Sequence, residues 1–129
     1  MGAEEEKIIH KELSYRITGL LFEVHNALGR FCREKQYGDA LEDLLKKDNI
    51  IYNREKSQPI EIIDNKETNK VDFIIDNAIV VELKAKEGIV KEDYRQIQRY
   101  LQASGKKLGL LVNFNSKFLR PIRIIRIDS

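Results

Sequence analysis

Three ionisable residues, Asp72, Glu82 and Lys84, stand at spacings that could do chemistry. Glu82 and Lys84 interrupt an otherwise apolar run, "AIVVELKA" (78–85). On a strand, residues two apart point to one face, roughly 6–7 Å apart along the chain; Val81 and Leu83 then face the other way. A carboxylate buried on such a strand is costly unless a cation, a metal or hydrogen bonds compensate. The commoner origin of such a pair is a surface salt bridge on a half-exposed strand. Asp72, in "VDFII", shifts that balance, and the hairpin register decides how. With a two-residue turn at Asp76-Asn77, Ile75 would pair with Ala78, and Asp72 and Glu82 would lie on opposite faces. With three loop residues, 76–78, Ile75 pairs with Ile79 and Asp72 lies directly opposite Glu82, with Lys84 diagonal to it. Asn77 suits the left-handed position that such a loop needs. The odd-length loop, or a bulge of the same effect, is therefore predicted. Like charges directly opposite are unfavourable unless something binds between them. A hard divalent cation such as Mg²⁺ (or Mn²⁺) is the natural occupant, because it takes carboxylate oxygens and keeps several waters.

The next helical segment adds "QIQRY". Gln96 and Tyr100 are four apart and share a face. Arg95 and Arg99 form a second such pair, able to hold phosphates bidentately or equally to form a solvated face. His25 falls near the apolar face of the first helix, where a histidine more often ties a core or an interface; it is kept as a site candidate. Cys32 reads as structural.

The elements that must position these residues follow from hydrophobic period. Leu13, Ile17, Leu20, Leu21, Val24 and Leu28 predict a helix over 11–28, stopped by Gly29. A second helix is predicted over about 33–48, with Tyr37, Ala40, Leu41, Leu44 and Leu45 inward. "SQPIEIID" (57–64) alternates and reads as a strand, followed by polar turn residues 65–69. Residues 70–75 and 78–85 read as two further strands. A helix over 91–104, with Tyr94, Ile97 and Leu101 on one side, ends at Gly105. Strands at 108–114 and 121–127 complete an α-α-β-β-β-α-β-β order. Hairpin-joined strands followed by a helix and another strand imply an α/β (α+β) fold, a mixed sheet flanked by helices.

The chain has 129 residues, 42% apolar and 34% charged, with a net charge of +2. One domain with one real core is expected, with residues 1–10 a flexible or helical extension. Such a balance does not mark a nucleic-acid binder by itself, so any basic surface must be local. One cysteine excludes an internal disulfide and a cysteine-rich zinc site. The acidic start "MGAEEEKIIHKE" lacks a signal-peptide core, and no run reaches the ~20 apolar residues of a membrane span. A cytoplasmic protein is expected. A glycosidase also uses paired carboxylates, but the chain has no Trp and only five Tyr and five Phe to build a sugar cleft. No phosphate-binding glycine loop, zinc signature or nucleophile elbow is present.

With Asp72 on one strand and "Glu82-Leu83-Lys84" on the next, the sequence resembles the PD-(D/E)XK nuclease superfamily. Gln96 and Tyr100 match the Q-x-x-x-Y motif of its RecB and phage-exonuclease branch. More narrowly it is similar to the small GxxExxY proteins, through "FEVHNALG" (22–29), "EKQYGDAL" (34–41), "VDFIIDNAIVVELKA" (71–85), "QIQRYL" (96–101) and "GLLVNF" (109–114). Phe31 stands at the glycine position of that motif, and Val71 where the superfamily often has proline before the Asp. The resemblance covers roughly residues 13–127. It implies a restriction-endonuclease-like αβββαβ core and a Mg²⁺-dependent phosphodiesterase acting on nucleic acid, DNA ahead of RNA. Asp72 and Glu82 would bind the metal, with the Leu83 backbone carbonyl and Glu34 completing the shell. Lys84 would position or activate the attacking water and neutralise charge on the phosphate. Gln96 would orient Lys84 or a phosphate, with Tyr100 beneath it. A homodimer or a protein partner would supply the grip that a small, nearly neutral domain lacks. The alternative is a non-catalytic nucleic-acid-binding or protein-interaction module on the same fold.

Overall fold

Ile17, Leu20, Leu21 and Val24 recur at helical spacing, and in the computed structural model of the chain they are buried along one side of α1 (Lys11–Leu28). The structure describes residues 8–55 and 71–128. Tyr37, Gly38, Leu41 and Leu45 do the same for α2 (Glu34–Lys47). Among the described residues, five strands follow: β1 (Tyr52–Arg54), β2 (Phe73–Ile75), β3 (Ile79–Lys84), β4 (Leu108–Asn113) and β5 (Ile122–Ile125), with α3 (Lys91–Ser104) between β3 and β4. They form one sheet in sequence order, antiparallel except for the β3/β4 pair, which is parallel. A parallel pair needs a crossover, and α3 supplies it. The result is a mixed sheet flanked by helices, the restriction-endonuclease-like arrangement.

The pleat of β3 sorts its side chains between two cores. Ile79, Val81 and Leu83 pack with α1 and α2, whereas Val80 packs with Ile97 and Leu101 of α3. Glu82 and Lys84 share the pleat phase of Val80 and so project on the α3 side. Gly109 of β4 lies under α3, where a Cβ would fall 2.7 Å from Ile97 Cγ2. That glycine lets the crossover helix press directly on the sheet.

The hairpin takes the odd register: Ile75 pairs with Ile79 and Phe73 with Val81. Asp76 and Asn77 both have positive φ, 54° and 52°, so the short polar residues take the left-handed turn together. The predicted strand at 57–64 and turn at 65–69 lie outside the described residues. Three details depart from the sequence reading. A strand, β1, occupies Tyr52–Arg54, which the sequence reading left unassigned. Tyr94 is 39% exposed; the inward position at the start of α3 belongs to Asp93, because ion pairs hold its carboxylate there. The regular ladder of β2 begins only at Phe73, because the Leu83 N–H donates to the Asp72 side chain.

Candidate active site

Asp72 and Glu82 hold each other across the hairpin by their backbones. The Leu83 N–H donates to Asp72 Oδ2 at 2.7 Å, and the Asp72 N–H donates to Glu82 Oε1 at 3.1 Å. The Asp72 carbonyl accepts from the Glu55 N–H at 2.9 Å, which ties the same residue to the end of β1. On a strand the Leu83 carbonyl points to the same edge as its N–H, towards Asp72. Glu82 is 6% exposed. Burial, and then the charge of Asp72, push the Glu82 pKa up to about 8. Burial also raises Asp72, but the Leu83 N–H and Lys84 oppose the rise, so Glu82 bears more of the strain.

Lys84 extends from the same strand face to Glu82 Oε2 at 3.2 Å, and its Nζ donates to Gln96 Oε1 at 3.4 Å. Asp93 Oδ1 lies 3.7 Å away. Burial opposes the charge on Lys84, but Glu82, Asp93 and Glu34 outweigh it and raise its pKa. Asp93 also takes a 2.8 Å ion pair from Lys86 and accepts the Val90 N–H at 2.8 Å. Burial would raise Asp93; those two hydrogen bonds bring it below the usual carboxylate range. Asn113, at the end of β4, clamps the Lys86 backbone on both sides, accepting its N–H at 3.1 Å and donating to its carbonyl at 2.9 Å. The chain leaving β3 is thereby fixed, and Lys84 with it.

Glu34 enters from the first turn of α2. Most of its surface is open, yet burial of its carboxyl end and the nearby Asp72 charge raise its pKa, while Lys84 and a backbone hydrogen bond from Ala85 oppose the rise. Its position depends on Tyr37. The Tyr37 hydroxyl donates to the Gly29 carbonyl at 2.6 Å and accepts the Cys32 N–H at 3.1 Å. Its ring stacks on Phe114 at 4.1 Å. Gly29 makes the turn at φ 79°, a conformation that favours glycine. The Glu-x-x-Tyr spacing thus joins a carboxylate at the site to an anchor in the core.

Glu34, Asp72, Glu82 and Gln96, with Gly38 and Arg54, line a cleft of about 430 Å³. Four carboxyl groups (Glu34, Asp72, Glu82, Asp93) gather around two ammonium groups (Lys84, Lys86), an excess of two negative charges when all four are ionised, which burial at Glu82 opposes. That deficit and the hard oxygen donors suit a divalent cation. Among the described residues, no three histidine, cysteine, aspartate or glutamate side chains converge into a ready-made cage. The fitting donor set is the Asp72–Glu82 pair, the Leu83 carbonyl and water, with Glu34 beside it.

The structure brings Asp72, Glu82, Lys84, Gln96 and Glu34 together. Tyr100 is half-buried against the α3-side core, and burial raises its pKa. Arg95 and Arg99 are exposed and pair with Glu92 at 3.8 and 2.8 Å, outside the residues that line the cleft. His25 Nε2 lies 3.0 Å from the Ser116 carbonyl and its ring tilts against Phe114, a tie between α1 and the β4–β5 loop. Cys32 is a free thiol and its Sγ lies 3.6 Å from the Leu28 carbonyl. Sequence reasoning passed over Asp93, Arg54 and Asn113. Asp93 carried a signal, since it precedes Gln96 by one helical turn and so shares its face.

The fold, with two carboxylates and a lysine at the end of its central strands, is that of a nuclease of the restriction-endonuclease type. The family model of the PD-(D/E)XK nuclease superfamily matches residues 11–126, and the chain belongs to that superfamily. No curated protein and no solved structure gives a significant match.

Proposed function

We propose that the chain hydrolyses phosphodiester bonds of nucleic acid, DNA ahead of RNA, with Mg²⁺ or Mn²⁺ as cofactor. The observation that carries this is the buried Asp72–Glu82 pair, which lines the cleft, with the Lys84 ammonium 3.2 Å from Glu82. Asp72, Glu82 and the Leu83 carbonyl would hold the cation. When bound, it would polarise the phosphate and lower the pKa of a coordinated water. Lys84, braced by Glu82, Gln96 and Asp93, presents an ammonium to the attacking water and to the charge developing on the phosphate. Gln96 orients Lys84, and Glu34 extends the acidic shell from α2.

The narrower kinship with GxxExxY proteins, one domain over 1–129, a cytoplasmic setting and a homodimer or protein partner belong to this same reading. No helix among the described residues is long and apolar enough to cross a membrane. One observation favours the alternative of a non-catalytic module: Asp72 and Glu82 already accept backbone N–H groups, so the site holds together without a third ligand. The test is cleavage of single-stranded, duplex and branched DNA and of RNA with Mg²⁺ or Mn²⁺, by wild type and Lys84→Ala prepared identically. Cleavage lost in the variant supports the nuclease. Equal cleavage by both points to a contaminant. Silence from both, with no thermal shift on adding Mn²⁺ to the wild type, supports the module.

A further inference from the structure

Phe31 and Phe118 are 83% and 70% exposed, unusual for phenylalanine on a small protein. Each carries a cation over its ring: the Arg30 guanidinium lies 5.1 Å from the Phe31 centroid, and Lys117 Nζ lies 5.5 Å from the Phe118 centroid. The two rings sit on different loops that are bonded to each other. Arg30 Nε donates to the Asn115 carbonyl at 2.9 Å, and Asn115 Nδ2 donates to the Arg30 carbonyl at 3.3 Å.

Both loops adjoin the candidate active site. Phe31 stands three residues before Glu34. Phe118 follows Phe114, whose N–H donates to the Lys84 carbonyl at 2.8 Å. Both loops are also uniformly basic. Residues 29–33 contain Arg30 and Arg33, and residues 114–121 contain Lys117 and Arg120, with no acidic residue in either stretch. Arg30, Arg33, Lys117 and Arg120 form no ion pair with a described carboxylate. In a chain whose net charge is only +2, this is a local concentration of free positive charge.

Exposed aromatic rings interleaved with unpaired cations are what a single strand requires: rings on which unstacked bases lie, and charges that track the phosphates. A duplex offers its phosphates but keeps its base faces stacked. The geometry points to the Phe31 and Phe118 loops as a stacking platform for single-stranded nucleic acid, or for unpaired bases flanking a junction, beside the scissile phosphate. The assignment rests on the nuclease reading for its substrate class, but it concerns binding and stands or falls without cleavage.

The chain contains no tryptophan and five tyrosines, so Phe31→Trp and Phe118→Trp each create a single tryptophan that can be excited at wavelengths where tyrosine does not absorb. With the full chain in EDTA, a stacked base should quench that fluorescence when an oligothymidylate is added. An abasic strand of the same length, or a blunt duplex, should quench it little. By anisotropy, Phe31→Ala and Phe118→Ala should each weaken binding of the oligothymidylate by roughly 5- to 150-fold, with little change for the abasic strand. Both side chains are exposed, so unchanged melting of the variants should accompany the loss. Equal quenching by duplex and single strand, or alanine variants that bind as the wild type does, would overturn the platform; cleavage that persists in those variants would show that the nuclease reading survives. Absence of any single-strand binding by the wild type at low salt would also overturn it. Binding that discriminates as expected, in a protein that cleaves nothing, would uphold the platform and leave the catalytic reading to fail separately.

Discussion

Two clusters of charge border the same cleft, and they are built oppositely. Around Arg54, two cations meet two carboxylates: Arg54 Nη1 lies 2.7 Å from Asp39 Oδ1 and 2.8 Å from Glu42 Oε1, and Lys35 Nζ lies 3.0 Å from Asp39 Oδ2. The guanidinium rests over Phe73 at 5.4 Å and against Gly38, where a Cβ would fall 2.5 Å from Nη2. Tyr52 adds a 2.6 Å hydrogen bond to Glu42, and burial followed by that bond pushes its pKa up to about 12. The bonds from Arg54 and then Lys35 hold Asp39 below the usual carboxylate range. Every one of these interactions favours the charged partners as they stand. Around Asp72 and Glu82 the balance is reversed, because burial raises both carboxyl groups and the charge of Asp72 raises Glu82 further. The first cluster is complete and fastens β1 to α2. The second crowds carboxyl groups whose ionisation burial opposes, and a cation between them would relieve that.

The sharpest way to break the contrast is to remove Lys84. Lys84→Ala should lower the rate of metal-dependent cleavage by about 10²-fold or more, measured at saturating metal, while the melting temperature moves little. If the two clusters were alike in function, the variant would lose stability and activity together.

Arg54→Ala should act in the opposite sense, mainly on stability. It strands Asp39 and Glu42 and empties the space over Phe73, so chemical denaturation should show a loss of about 2–4 kcal/mol, below the fully buried limit because Asp39 is half exposed. A loss under 0.5 kcal/mol would show that the cluster does not fasten β1 to α2.

The metal-free protein should reveal the strain at Glu82 through pH. Its folded pKa lies above the unfolded value of 4.5, so between those values the folded state binds the extra proton. Stability of the EDTA-treated protein should therefore fall as pH rises from about 4.5 to about 8. Glu82→Gln should flatten that fall and gain on the order of 1 kcal/mol at pH 8 in the absence of metal, while losing the stabilisation that Mn²⁺ gives the wild type. A flat profile in the wild type would mean that the carboxylate pair is not strained.

The smallest expected effect is at Asp93. Asp93→Asn keeps the shape but removes the charge between Lys84 and Lys86, so kcat should fall by a few-fold to about tenfold with KM nearly constant. A change in KM alone would give Asp93 a role in substrate binding and not in bracing Lys84.

Much of this was legible in the chain before folding. The alternation of Ile79, Val81 and Leu83 against Glu82 and Lys84 determines which side chains share a face. The need for Asp72 to meet Glu82 led to the three-residue loop, and short polar residues at 76 and 77 can adopt it. β1 was not legible, because three residues as polar as Tyr52-Asn53-Arg54 carry no period. Their place in the sheet comes from pairing with β2 and from the Arg54 ion pairs.

The sequence by itself therefore determined the helices, the face of β3 that carries charge, and the types of residue available for chemistry, because these follow from local period and side-chain identity. Only the tertiary structure decided that Asp93 turns inward in place of Tyr94, that Tyr37 anchors the turn carrying Glu34, and that the loops carrying Phe31 and Phe118 are bonded to each other through Arg30 and Asn115. Each of those outcomes depends on an ion pair, a hydrogen bond or a stacking contact between segments far apart in the chain, and such contacts acquire energy only once packing has brought their partners together.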